Sequence, residues 1–214
     1  EMVAHVDPNL RIRFSTSHPK DMTDKVLHTM QKYKNICNYI HLPVQSGSST
    51  VLKKMNRGYT REWYLGRIDA IKRIIPGCAI STDIITGFCG ETNHEHKETL
   101  SLMNKVKFDF AYMFFYSERP KTLAQRKFDD DIPLETKKAR LQEVIDIQRE
   151  HSLESNRRQI DKVVEVLVEG PSKKSNDFYC GRNSENTMIV FPKEKVKKGD
   201  YVFVRIKDCT AATL

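Results

Sequence analysis

Hydrophobic and polar positions follow two alternating patterns along the larger, first part of the chain. Short apolar runs typical of strands are followed by segments in which apolar residues recur every three or four positions, as on one face of a helix. Strands that alternate with helices form parallel sheets with the helices outside, so the pattern predicts an α/β fold. A complete barrel of eight such units requires about 250 residues, so we expect a partial βα barrel. The predicted strands cover residues 11–15, 38–42, 79–86 and 108–116.

Local signals predict where several helices begin. Thr60 is a candidate N-cap for a long helix, and Thr92 with Glu95 has the spacing of a capping box. The charged segment 118–131 reads as a loop, and Pro133 then opens another long helix.

The pattern changes near residue 158. Short alternating strands follow, and turn residues such as those at 170–172 separate them. Such an array predicts a small all-β, OB-like barrel. We therefore expect two domains, a partial barrel at 1–157 and an OB-like domain at 158–214. The predicted strands of the second domain cover residues 162–169, 178–181, 186–191 and 201–206.

Composition narrows the class of protein. The 214 residues carry a net charge of +8, which favours a polyanionic partner, and the excess is spread over both predicted domains. No apolar run is long enough to span a membrane, and no secretory signal is visible, so we expect a cytoplasmic protein. Because the chain starts at Glu1 rather than Met and stops at Leu214 just after a predicted strand, we expect it to be a piece of a longer protein.

The cysteines do not form a recognisable motif. Because they are scattered along the chain, neither a disulfide framework nor a zinc site is predicted. We interpret them as buried or idle thiols of a reducing compartment. Cys89, in a turn that a ligand can approach, receives the same interpretation. The five positions are Cys37, Cys78, Cys89, Cys180 and Cys209.

Ligands of parallel α/β sheets bind at the carboxyl ends of the strands. The segments at these ends contain small and hydrogen-bonding residues but no catalytic triad. His18 precedes a proline, and a turn or capping role is favoured over that of a base. Asp83 lies within an apolar strand and requires a partner, which leaves both a buried pairing and a ligand contact open. The segments are 15–19, 43–48, 83–91 and 116–120.

These segments resemble the radical-SAM tRNA methylthiotransferases. The resemblance covers nearly the whole chain, and residues 163–214 are similar to the TRAM domain of that family. It implies the C-terminal part of a TIM-like radical-SAM barrel followed by TRAM. The matching stretches, in the family's order, are RFSTSHP (13–19), HLPVQSG (41–47), MNRGYTR (55–61), STDIITGF (81–88) and YSERP (116–120).

The resemblance implies a radical reaction on tRNA. Family members bind S-adenosylmethionine and two 4Fe-4S clusters, one in an N-terminal domain and one on a Cys-x-x-x-Cys-x-x-Cys segment of the barrel. This sequence contains neither part, so we expect the cluster ligands outside the chain, no metal site within it and no turnover by the chain alone. The catalytic residues stay unassigned. Smaller departures are Cys89 and Lys121, which stand where the family usually has proline and glycine.

The motifs look most like the branch that acts on prenylated adenosine beside the anticodon. The branch acting on threonylcarbamoyl-adenosine, the branch acting on a ribosomal protein, and a non-catalytic RNA-binding module stay open as alternatives. We expect a monomer whose partner is the tRNA anticodon loop, and the sulfur donor is unassigned.

The resemblance also suggests site residues, with turn geometry or an ordinary solvated surface as the alternative for each. Residues expected to line the S-adenosylmethionine pocket are Ser17, Gln45, Asp83, Gly87 and Tyr116. Candidate phosphate contacts are Lys54, Arg57, Arg61 and Arg119 near the barrel mouth, and Lys173, Lys174 and Arg182 in TRAM. Phe178 and Tyr179 lie between the TRAM cations and are candidates for stacking on unpaired bases.

Overall fold

A three-stranded parallel sheet forms the centre of the first unit. The computed structural model describes residues 1–13, 18–173, 175–193 and 195–214. The sheet contains β1 (Tyr39–His41), β2 (Ala79–Thr86) and β3 (Phe110–Phe115) in the order β1-β2-β3. β2 is confirmed over the predicted range, whereas β1 and β3 are shorter than predicted.

The first predicted strand is only partly within the described residues. Ile12 forms a single parallel bridge with Ile36, and residues 14–17 lie outside the described part of the chain. The side chain of His18 accepts a hydrogen bond from the Lys20 amide at the start of a short 3-10 turn, Pro19–Asp21. The capping role predicted for His18 is thereby confirmed.

The predicted helices are present, and their caps explain where two of them begin. The Thr60 hydroxyl accepts from the Trp63 amide, and Thr92 and Glu95 form the expected capping box. The segment predicted as a charged loop contains an additional short helix that Thr122 caps. The helices are α1 (Asp24–Lys32), α2 (Ser49–Lys54), α3 (Arg61–Ile74), α4 (Asn93–Val106), α5 (Leu123–Lys127) and α6 (Leu134–Arg157). Within the described ranges, no helix is both long enough and apolar enough to cross a membrane.

Among the described residues, helices cover only one of the two faces of the parallel sheet. Helices bury one face, and each fully buried aliphatic or aromatic side chain there contributes about 1.5–3 kcal/mol. On the other face, here called the open face, Phe110, Tyr112 and Phe114 are 47%, 49% and 55% exposed. The alternation of side chains along β3 accounts for this contrast. Members of the covered core include Tyr64, Ile68, Ile71, Ile80, Ile84, Leu102, Met103 and Val144.

The second unit is a four-stranded antiparallel sheet in the order β6-β5-β4-β7. The prediction of a turn at 170–172 was wrong, because β4 continues to Ser172. The strand passes through an irregularity in its pairing with β5, where Gly170 has a φ of +140°. Valines on β4 and residues of β6 fill the small core. The strands are β4 (Val163–Ser172), β5 (Ser175–Arg182), β6 (Met188–Pro192) and β7 (Tyr201–Arg205).

Gly47 packs the segment after β1 closely against α4, and the requirement for glycine at this position can be tested. A Cβ on Gly47 would lie 2.4 Å from the Thr99 Cα, whereas a Cβ on Gly66, within α3, would meet nothing within 4 Å. We expect Gly47→Ala to lower the free energy of unfolding by about 1–3 kcal/mol through overpacking. Gly66→Ala is the control, and it should raise stability by about 0.5–1 kcal/mol. Urea unfolding of both variants measures this, and equal midpoints would contradict the packing at Gly47.

Candidate functional site

The carboxyl ends of the parallel strands bring four predicted site residues to one edge of the sheet. The Gln45 amide donates to the Asp83 carbonyl at 2.8 Å, and the Ile85 amide donates to the Gln45 carbonyl at 2.9 Å. The Tyr116 amide donates to the Thr86 carbonyl, directly before Gly87. Gln45 therefore neighbours Asp83, and Tyr116 neighbours Gly87, in the carboxyl-terminal half of the sheet, which we call the rim. Ser17, also predicted for this site, lies outside the described residues.

Gln45 adopts an unusual backbone conformation at the rim. Its φ is +75°, in the left-handed region that favours glycine. For a residue with a side chain this conformation costs about 1–3 kcal/mol, and such strain clusters at ligand sites. The two ladder hydrogen bonds to β2 hold the residue in place. The strain is an observation independent of the sequence motif, and a functional role for Gln45 stays a prediction.

Asp83 has a polar partner yet stays accessible on the open face. Its carboxylate lies 3.3 Å from His41 Nε2, and 27% of its side chain is exposed. The other ring nitrogen of His41 lies 2.8 Å from the Ser81 hydroxyl, which also contacts the Tyr39 hydroxyl at 2.6 Å. The pairing left open by the sequence is therefore present, and the exposed part of the carboxylate still permits a ligand contact. His41, Ser81 and Tyr39 were missed by the sequence analysis.

A buried ion pair between Glu91 and Arg140 holds the backbone of Gly87 in place. Glu91 Oε2 accepts from the Gly87 amide at 2.7 Å and from Arg140 Nη1 at 2.9 Å. Arg140 also donates to the Glu91 carbonyl and to Asn93 Oδ1. Burial raises the pKa of Glu91, although the Gly87 amide and the Arg140 guanidinium act in the opposite direction. The segment after β2 is thus fastened to α6.

Lys137, one turn before Arg140, holds the other side of the rim. Its Nζ donates to the Tyr116 carbonyl at 3.2 Å and forms an ion pair with Asp130. The stem of Lys137 occupies the space beside Gly87, where a Cβ would lie 2.4 Å from Lys137 Cγ. The close approach expected at Gly87 is therefore made by Lys137, and a ligand contact there stays a prediction. The sequence carries a signal for Lys137, because it lies four and seven residues before Leu141 and Val144 on the inner face of α6.

Three of the basic candidates near the mouth have internal partners. Lys54 Nζ donates to the Gly90 carbonyl, and Arg57 donates to the Tyr59 hydroxyl and the Pro43 carbonyl. Arg61 donates to the carbonyls of Gly47 and Glu98 and to the Ser101 hydroxyl. Arg119 is exposed, and its guanidinium makes no hydrogen bond or ion pair with any residue that the structure describes. Arg119 is therefore the candidate of this group that stays free for a phosphate.

The candidate RNA contacts in the second unit also fall into two groups, side chains with internal partners and side chains that are accessible. Arg182 lies 3.4 Å from Glu169 and donates to the Asn186 carbonyl, so its guanidinium is engaged. Lys173 is exposed and has no polar side-chain partner in the described part of the chain, whereas Lys174 lies outside it. Phe178 is 40% exposed and Tyr179 packs against the small core. Lys173 and Phe178 are therefore the accessible members of this set.

The cysteines form no disulfide bond. All five are free, and no three His, Cys, Asp or Glu side chains within the described ranges are grouped as a metal site. Cys89 is buried, and burial raises the pKa of its thiol. Burial, together with this neighbouring thiol, raises the pKa of Tyr116 to about 12. The packing of Cys89 agrees with its structural interpretation.

Comparison with known proteins defines the class. Residues 1–103 match the model of the Radical SAM superfamily, and residues 157–214 match the TRAM domain. The fold is similar to that of coproporphyrinogen III oxidase from Escherichia coli, described as a radical SAM enzyme. That likeness has a TM-score of 0.53 at 18% identity and covers 78% of this chain and 45% of the other. The predicted fold class, part of a radical-SAM barrel followed by a small all-β TRAM domain, is confirmed. Membership of the superfamily implies S-adenosylmethionine and iron–sulfur clusters as cofactors.

Closer relatives define the family. The chain is 62% identical to the tRNA-2-methylthio-N(6)-dimethylallyladenosine synthase of Amoebophilus asiaticus and 59% identical to that of Christiangramia forsetii, in each case over its whole length. It is 52% identical to that of Bacteroides fragilis. It spans 44% to 47% of the length of these relatives. Over its described and undescribed residues alike, the chain is thus similar to radical-SAM tRNA methylthiotransferases, as its five motifs indicated.

The buried Glu91 predicts a pH dependence of stability. Because its pKa is raised in the folded protein, its contribution is fully present below the ordinary glutamate pKa and is lost as the pH rises through the raised value. The free energy of unfolding of the wild type, relative to Glu91→Gln, should therefore fall as the pH rises through this window. Urea unfolding between about pH 4 and about pH 8 measures it.

Glu154→Gln provides a control of opposite sign. Hydrogen bonds from Lys107 and Arg158 lower the pKa of Glu154. The wild type should therefore gain stability relative to Glu154→Gln as the pH rises. Parallel pH profiles for the two variants would contradict the assignment at Glu91.

Proposed function

We propose that the whole protein to which this chain belongs adds a methylthio group to the prenylated adenosine beside the tRNA anticodon. The observation that carries the proposal is the 62% identity, over all 214 residues, to a synthase named for that product. The rim and the TRAM domain supply the two binding functions that such a reaction requires. The activity belongs to the whole protein, because the chain spans under half of its relatives' length.

The rim is the proposed contact surface for S-adenosylmethionine. When bound at an iron–sulfur cluster, this cofactor supplies the radical that removes hydrogen from the adenine ring. The side-chain amide of Gln45 and the carboxylate of Asp83 are suited to hydrogen bonds with its ribose or methionyl group, and Gly87 and Tyr116 lie beside them. We place the cluster ligands in the part of the whole protein outside this chain, so the chain alone is expected to be inactive. A cluster and cofactor cleavage in the purified chain would contradict this.

The RNA contacts are proposed for both units. Arg119 lies next to the rim residue Tyr116, and Lys173 and Phe178 lie on the TRAM domain, where charge and stacking suit an unpaired loop. We further propose a monomeric, cytoplasmic protein. The sulfur donor is unassigned.

Nucleoside mass spectrometry of tRNA tests the proposed substrate. In a strain without the whole gene, we expect the methylthio group on prenylated adenosine to disappear while the prenyl group stays, and the intact gene to restore it. Loss of the methylthio group from threonylcarbamoyl-adenosine instead would assign the protein to the other tRNA branch. An unchanged nucleoside profile would favour a non-catalytic RNA-binding module or the ribosomal-protein branch.

The salt dependence of tRNA binding tests the contacts. In the whole protein, Arg119→Ala and Lys173→Ala should each reduce the slope of log affinity against log salt by about 0.7–0.9, the value for one lost phosphate contact. Arg61→Ala is the control, because its guanidinium is already used by carbonyl oxygens. That variant should lose stability and keep its slope. If the triple variant Lys173→Ala, Lys174→Ala, Arg182→Ala keeps both affinity and slope, the TRAM patch is not a contact.

A further inference from the structure

The TRAM domain docks on the edge of the parallel sheet opposite the rim. The Ser184 hydroxyl accepts a hydrogen bond from the Asn38 amide at 2.9 Å, directly before β1. Burial, and then the nearby charges of Asp109 and Glu185, raise the pKa of Cys78 to about 12. The loop 183–185 therefore contacts the segment before β1, and Glu185 lies near Cys78 and Asp109, which directly precede β2 and β3.

Arg11 fastens this interface with one guanidinium. Its Nη1 donates to the Arg182 carbonyl at 2.7 Å, and its Nη2 lies 2.6 Å from Glu165 Oε2. Its Cζ also lies 4.8 Å from the centre of the Tyr201 ring. The side chain is only 7% exposed. All three partners belong to the TRAM domain, so one residue from the barrel side contacts three TRAM strands.

Arg13 makes a second set of contacts two residues later. Its Nη2 donates to the Asn183 carbonyl at 2.6 Å, and its Nη1 lies 3.8 Å from Glu169. Residues two apart in an extended segment point to the same side, which explains why both arginines reach TRAM. We call Arg11 and Arg13 the arginine bracket.

The backbone between the two arginines is bonded to the barrel. The Ile12 amide donates to the Asn35 carbonyl at 2.8 Å, and the Ile12 carbonyl accepts from the Cys37 amide at 2.9 Å. The bracket is therefore joined to the barrel through its main chain and to TRAM through its side chains. A planar guanidinium can bond two acceptors while lying on an aromatic ring, which a lysine ammonium cannot reproduce.

We propose that Arg11 and Arg13 are positioning residues that hold the TRAM domain at a fixed offset from the rim, and the proposal rests on the proposed function. From Ala79 at the amino end of β2, Asp83 lies four residues and Gly87 eight residues along the chain, which at about 3.3 Å per residue gives roughly 13 Å and roughly 26 Å. RNA held by TRAM therefore reaches the rim only if this offset is kept. Breaking the bracket should leave RNA capture intact and misplace the adenine, and small misplacements lower rates by up to about 100-fold.

The experiment uses the whole protein with its clusters. Arg11→Ala combined with Arg13→Ala should change the Kd for tRNA less than about twofold and lower kcat/KM for methylthiolation by about tenfold or more. Arg11→Lys should fall between this variant and the wild type. The control is Arg158→Ala, which removes an arginine that is 61% exposed and pairs only with Glu154 among the described residues. That variant should match the wild type in both quantities.

Hydrogen exchange provides a readout that does not require activity. In the double variant the Asn38 amide should exchange faster, whereas amides within β2 should keep their protection and so show that the barrel is folded. The charge-swapped double variant, Arg11→Glu with Glu165→Arg, should recover part of the protection of the Asn38 amide that Arg11→Glu alone loses.

The outcomes separate the two proposals. A wild type that does not methylthiolate tRNA would refute the proposed function, and the bracket would then be judged by exchange alone. Unchanged exchange at Asn38 in the double variant would overturn the bracket. So would equal losses in tRNA affinity and kcat/KM, because these would indicate an RNA contact rather than positioning.

Discussion

Two buried cations of α6 determine how the rim is held together. A charge taken out of water requires close partners, and Lys137 and Arg140 find theirs in the segments that follow β2 and β3. Glu91 completes this arrangement because it bonds both Arg140 and the amide of Gly87. The helix therefore does more than cover the sheet. It fixes the relative position of two loops that the sequence alone leaves independent.

The two opposite edges of the parallel sheet differ in what they contact. At the carboxyl edge, the backbone ladder continues into Gln45 and imposes a left-handed conformation on it. At the amino edge, the ladder ends in polar groups that TRAM satisfies, such as the Asn38 amide. The rigid strands between these edges separate the proposed cofactor site from the docking surface, so a change at one edge leaves the local packing of the other intact.

Local sequence signals were sufficient to predict most helices and strands. They were not sufficient to predict contacts between residues distant in sequence. β2 and the caps at Thr60 and Thr92 follow from patterns within a few residues. The helix at 123–127 is too short for a periodic signal, and the glycine at 170 suggested a turn where a strand irregularity occurs. Side-chain roles depended on residues distant in sequence. Charge marked Arg182 as a candidate, but only the fold shows its partners.

The aromatic row on β3 has a consequence for the chain in solution. The outer edge of β3 has no ladder partner among the described residues, and the open face beside it exposes three aromatic rings. Unpaired strand edges next to apolar surface favour self-association. The net charge of +8 opposes this by mutual repulsion. Added salt screens that repulsion, so colloidal stability of the isolated chain should decrease with ionic strength even where the fold itself is unaffected.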